Sequence, residues 1–128
     1  PAAAAERSEH AEGRDEARFE FATAGADMLR KIEGLEAVAA AVEAHLERLD
    51  GTGGPRHLIG HQIPRAARVV ALADEFDSRL SSLGSAPHTS DAIKRVLVGL
   101  HEEADTRFDP EAFKGLVVAL RSGRLPQA

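Results

Sequence analysis

The residues in this chain best suited to chemistry crowd one short stretch. Between Gly51 and Val70 lie Arg56, Arg65 and Arg68 with His57 and His61, and no acidic residue. In a protein of net charge -5, such a local excess of cations can attract a phosphate-bearing ligand, and Arg56 sits on a glycine-rich loop suited to that task. The competing reading is a loop and helix start that are basic without being a site. Asp74 is a second anomaly, because it lies between Ala73 and Phe76 on a largely apolar segment. An unpaired carboxylate there is costly, so Asp74 calls for a partner such as His45, Arg48 or Arg68. Glu102, Glu103 and Asp105 could form an acid–base pair, but at the end of a helix they read more simply as solvated. No serine occupies a nucleophile elbow, and Gly51-Thr52-Gly53-Gly54 lacks the Lys-Ser/Thr that completes a Walker phosphate loop. With no cysteine, thiolate nucleophiles, zinc-thiolate sites and disulfides are excluded.

These side chains must be positioned by helices. The chain has 128 residues, the size of one domain. Hydrophobic residues make up 43%, but 24 are alanines, and aromatics are only 4% with no Trp or Tyr. Alanine favours close-packed helices and a β-protein wants branched and aromatic residues, so an all-β fold is excluded. The excess of 21 Asp and Glu over 16 Lys and Arg argues against DNA or RNA as partner. No stretch is apolar enough to span a membrane, the start lacks the basic region of a signal peptide, and the lack of cysteine suits a reducing cytoplasm. A soluble, cytoplasmic protein is expected.

The segment Glu6–Glu20 is charged and alanine-rich, a solvated helix or frayed tail, and residues 1–20 are set apart from a domain over 21–128. A helix is predicted over Ala22–Ile32, broken at Gly34. The stripe Leu35, Ala39, Val42, Leu46, Leu49 predicts an amphipathic helix to about Leu49, with Glu36, Glu43 and Glu47 on other faces. Three glycines and Pro55 then force a loop to about Ile63. Pro64 opens a helix on which Val69, Leu72, Ala73, Phe76, Leu80 and Leu83 give a long apolar face ending at Gly84. After a linker at Ser85–His88, Thr89 or Ser90 can cap a helix bearing Ile93, Val96, Leu97 and Leu100. Asp109-Pro110 reads as cap and first turn of a last helix that buries Phe113, Leu116, Val117 and Leu120, with Gly123 beyond its end. The expected fold is an all-α bundle of about five helices.

The stretch His45-Leu46-Glu47-Arg48-Leu49-Asp50-Gly51-Thr52-Gly53-Gly54-Pro55 resembles the signature of HD-GYP domains, His-His-Glu-x-x-Asp-Gly-x-Gly-Tyr-Pro. Ile63-Pro64, Ala67-Arg68, Ala71-Leu72-Ala73-Asp74 and Phe76-Asp77 follow in the family's order, and Arg107-Phe108-Asp109-Pro110 is similar to its His-Phe-Asp-Pro ending. The resemblance covers roughly Gly25 to Leu120, the C-terminal part of such a domain. It implies a bacterial all-helical phosphodiesterase that degrades cyclic di-GMP with two or three iron or manganese ions. Carried over residue by residue, it keeps two metal ligands, His45 and Asp74, and the signature-loop residues Glu47, Asp50, Gly51, Gly53 and Pro55. The second His falls on Leu46, the name-giving Tyr on Gly54, and an upstream His-Pro pair near Phe21-Ala22. None of the six histidines is followed by Asp, and Leu83-Gly84-Ser85-Ala86-Pro87 replaces a nucleotide-contacting Arg-Pro-Tyr-Arg.

Two ligands cannot neutralise and bridge two divalent ions. Leu46 extends the apolar stripe of its helix, so the site reads as converted to core. His45 can be a residual ligand or a hydrogen-bond donor to loop backbone, and Asp74 can form a buried Asp–His pair or one weak metal site. Three functions compete. The first is a degenerate module acting through protein partners in cyclic di-GMP signalling. The second is a non-hydrolytic cyclic di-GMP receptor using Arg56, Arg65 and Arg68. The third is a phosphodiesterase whose remaining ligands lie outside this chain, the one case that needs iron or manganese; otherwise no cofactor is expected. Apolar surface left by absent upstream helices predicts a homodimer or a heteromeric complex.

Overall fold

A computed structural model describes residues 2–84 and 89–123, with side chains from Glu12 onward. Among these residues five α-helices occur and no strand: α1 (Ala2–Arg30), α2 (Glu36–Ala44), α3 (Arg65–Ser81), α4 (Ser90–Glu102) and α5 (Pro110–Arg121). A 3₁₀ turn, Gly60–Gln62, precedes α3. The all-α expectation holds. The linker expected at Ser85–His88 lies outside the described residues.

α1 is one continuous helix of 29 residues, so the charged segment and the helix expected over Ala22–Ile32 are the same element. No proline interrupts it, and alanine sustains helix through the charged half. Among its described side chains α1 buries Ala22 and Ala26, and α2 buries Ala39, Ala41 and Ala44, small side chains that let the two helices pack closely. α2 ends at Ala44 rather than near Leu49. The Leu46 carbonyl accepts the Gly54 N–H (3.3 Å), and Arg48 Nη1 caps the carbonyls of His45 (3.2 Å) and Glu47 (3.1 Å). Those groups are satisfied without a further helical turn.

The main core joins α3, α4 and α5: Leu72, Phe76, Val96, Leu100 and Phe108 are buried, with Leu80, Ile93, Phe113, Leu116 and Leu120 packed against them. A smaller cluster of Ala44, Ile63 and Ala67, flanked by Leu49 and Leu58, seals α2 and its loop onto α3. The predicted caps form: Thr89 Oγ1 accepts Ala92 N–H, and Asp109 Oδ1 accepts Glu111 N–H at 2.8 Å, followed by Pro110 in the first turn of α5. Gly123, just past α5, has φ +65°. Among the described residues no helix is long and apolar enough to cross a membrane.

Candidate functional site

The site grows out of residues 45–63, between α2 and α3. Glu47, expected on an outer face, is instead buried at 2% exposure. Its carboxylate oxygens accept the backbone N–H of Arg56 and of Leu58, each at 2.9 Å, so it is the internal clip of the loop. Asp50 makes the predicted turn: Oδ1 accepts Thr52 N–H at 3.0 Å and the Thr52 hydroxyl at 2.6 Å. Burial raises the Asp50 carboxyl, but those two bonds and nearby Arg107 outweigh it and hold the group below its ordinary value. Gly53 is required for a different reason: a Cβ there would stand 2.2 Å from the Leu46 carbonyl oxygen. At Gly54 a Cβ would meet the Phe19 ring at 2.6 Å, so α1 packs directly on the position where the resembled signature carries tyrosine. The Gly54–Pro55 peptide is cis.

Glu43 is the second buried carboxylate that the sequence reading placed outside. It holds Arg30 at the end of α1 and Arg56 Nη2 of the loop (2.6 Å), tying three elements together. The hydrogen bond that Arg30 donates to the Glu43 carboxylate raises the Arg30 pKa. α2 packs against α1, its own loop and α3; Glu36 stays on its exposed face, while Glu43 lies on the side turned to α1 and the loop. The glycine loop after Glu47, with backbone donors needing an acceptor, was the one sequence signal for its inward turn. Glu43 left none beyond the alanines around it.

Arg48 is mostly buried, its guanidinium 4.9 Å from the centroid of the Phe108 ring. Burial lowers its pKa, against the raising effects of Glu75 and Asp74. From Arg48 a chain of alternating charges crosses the molecule: Glu75 lies 3.6 Å from Arg48 and 2.9 Å from Arg79, Arg79 binds Glu103, and Glu103 lies 3.3 Å from Arg107. Arg107 approaches Asp50 at 3.9 Å, and its carbonyl accepts Leu49 N–H at 3.0 Å. Glu103 is thus tied into this network rather than simply solvated.

The candidate ligands take separate partners. His45 Nδ1 donates to the Val42 carbonyl in its own helix, not to the loop. With Nδ1 engaged in this way, Nε2 is the nitrogen through which His45 would have to ligate. Asp74 is half exposed, and its ion pair is with Arg18 of α1 at 3.7 Å; the expected partners His45 and Arg68 are not its contacts, while Arg48 feels its charge. Leu46 is buried. Among the described residues no group of three or more His, Asp or Glu could hold a metal ion. The donor set of the described residues does not fit a bridged two-metal centre.

The basic residues do not converge either. Arg56 belongs to Glu43, and Arg68 Nη1 binds Asp109 at 2.7 Å with both side chains largely buried. Arg65, exposed, lines with Arg68 and His61 a groove of about 420 Å³ that Arg56 does not reach. Asp105, Asp109 and Glu111 line the same groove, so its fixed charge does not favour an anion.

Residues 5–112 match the model of the HD domain. The chain belongs to the HD domain family. Within it the chain is HD-GYP-like, as its relatives show. It is 34% identical over 93 residues, 73% of its length, to the 3'3'-cGAMP-specific phosphodiesterase 3 of Vibrio cholerae, covering 20% of that protein. To the cyclic di-GMP phosphodiesterase response regulator RpfG of Xanthomonas campestris it is 40% identical over 74 residues, 57% of this chain and 19% of the relative. The crystal structure of a cyclic GMP-AMP specific phosphodiesterase of Vibrio cholerae matches 80% of this chain and 23% of that one, with a TM-score of 0.67 and 27% identity. The chain spans about a fifth of the length of these relatives.

Proposed function

We propose that this HD-domain chain is a catalytically degenerate HD-GYP-like module of bacterial cyclic-dinucleotide signalling, acting by protein–protein interaction or by binding nucleotide without hydrolysis. The observation that carries the reading is the fate of the ligand positions. Arg18 supplies the positive charge beside Asp74, Leu46 fills its position as core, and His45 belongs to no group of three or more potential ligands among the described residues. A side-chain cation at the carboxylate and an apolar side chain in place of a ligand make two metal ions unnecessary to the fold and weakly held by it.

Of the two modes, the charge pattern favours protein interaction. Arg56 and Arg68 are both committed to carboxylates, and Arg65 faces a groove that carries three more. The names of the relatives give the ligand class for the other mode, a cyclic dinucleotide. The alternative, a metal-dependent phosphodiesterase completed by residues outside this chain, is favoured by the fifth of each relative that the chain spans.

Calorimetric titration of cyclic di-GMP and of 3'3'-cGAMP, with and without Mn²⁺, separates these readings. Saturable heat without turnover supports the receptor mode, and Arg65→Ala and Arg56→Ala then test the basic residues without breaking the buried Arg68–Asp109 pair. No heat leaves the interaction module. A continuing, Mn²⁺-dependent heat of turnover overturns the degenerate reading.

A further inference from the structure

We infer that the groove where α3 and α5 begin is a guanine-reading site, in which Asp105 takes the donor edge of the base and Arg65 the acceptor edge. The groove, of about 420 Å³, has the size of a small-ligand site. It is walled by the loop after α2, the first turns of α3 and α5, and the turn that joins α4 to α5. His61, Arg65 and Asp105 line it and are exposed, and none of the three makes a side-chain hydrogen bond or ion pair among the described residues. Arg65 and Asp105 thus carry opposite charges in one groove without pairing with each other. Arg68 adds a further donor to the same wall. Its Nη1 binds Asp109, but its buried Nε has no acceptor among the described residues, a vacancy that native interiors seldom leave.

A ligand that satisfies this groove must bring donors to Asp105 and acceptors to Arg65 on one small body. It must also carry little charge there, since Arg65 and Arg68 face Asp105, Asp109 and Glu111 and the walls nearly balance. Guanine meets both conditions. N1–H and the N2 amino group stand side by side on one edge, matching the two oxygens of a carboxylate. O6 and N7 stand side by side on the neighbouring edge, matching the paired N–H groups of a guanidinium. The base is uncharged, so the acidic wall that turns away a phosphate admits it. His61 offers a ring for stacking, and Leu49 and Pro110 offer apolar contact. Adenine reverses the polarity: it would set the N1 lone pair against Asp105 and the N6 amino group against Arg65.

This assignment deepens the nucleotide-binding mode proposed above and rests on that reading for its biological meaning alone. Isothermal titration of the full chain with GMP, AMP and inorganic phosphate tests it. GMP is expected to bind saturably and at least about tenfold tighter than AMP, with no saturable heat from phosphate. Asp105→Asn is expected to weaken GMP binding at least about tenfold. Asn tolerates the left-handed conformation of residue 105, φ +75°, so this variant alters the carboxylate and leaves the turn. Arg65→Ala, which removes an exposed side chain without a partner, is expected to weaken GMP binding by a similar factor with the helical circular dichroism unchanged. No binding of GMP overturns the inference, as does AMP or phosphate binding as tightly as GMP, or an affinity that neither variant changes. Cyclic di-GMP binding that survives both variants overturns this site and leaves the nucleotide-binding mode standing, so the two fail separately.

Discussion

At the scale of single residues, the loop after α2 puts several signature residues to structural use. Asp50, Gly51 and Gly53 were legible as turn residues because a side chain that bonds the turn and a residue without Cβ announce themselves in sequence. The inward turn of Glu43 and the seat of Phe19 on Gly54 were not legible, because both depend on where α1 lies in space. Gly53→Ala is expected to destabilise more than Gly54→Ala, because it strikes the Leu46 carbonyl whereas Gly54→Ala strikes a ring that can move. Costs of about 1–3 kcal/mol follow from overpacking. In a Phe19→Ala background the Gly54→Ala cost should shrink by denaturant titration; an unchanged cost would mean that Phe19 is not the obstacle. Leu46→His, which restores the resembled pair of histidines, should cost about 2 kcal/mol by placing a polar ring in core. A stabilising Leu46→His would show that the position is still a ligand site. Because the Asp50 carboxyl is held low, it stabilises the fold above its unfolded value, near pH 4, and this contribution is lost as the pH falls through the folded value. Thr52→Val should move the Asp50 titration upward by NMR; a static titration contradicts the role given to Thr52.

At the scale of elements, the sequence placed α3, α4 and α5 well, because each carries a strong apolar periodicity and an explicit start: Pro64, Thr89 or Asp109-Pro110. It misjudged α1 and α2. Periodicity over Leu35–Leu49 continues through residues that have left the helix, since Leu46 and Leu49 are core residues in an irregular turn. Asp109 serves two elements, capping α5 and receiving Arg68 of α3. Asp109→Asn keeps an oxygen for the cap but leaves a largely buried guanidinium without its charge partner. Urea denaturation should therefore show a loss of about 3 kcal/mol. A loss below about 0.5 kcal/mol would reduce the pair to the worth of a surface ion pair.

At the scale of the whole molecule, an HD-family helical scaffold is present, and among the described residues no group of three or more potential ligands is assembled on it. In the proposed reading Arg18, Phe19 and Leu46 take the places of cation, space and ligand, and α1 brings the first two there. The central claim is that the metal site has become structure. Its most direct test is metal analysis of the purified chain, with iron and manganese in the growth medium, set beside the stability of the chain after chelation. The account predicts far less than one iron or manganese per chain and no change in denaturation midpoint on adding chelator. Two metals per chain, with stability lost when they are removed, would contradict it.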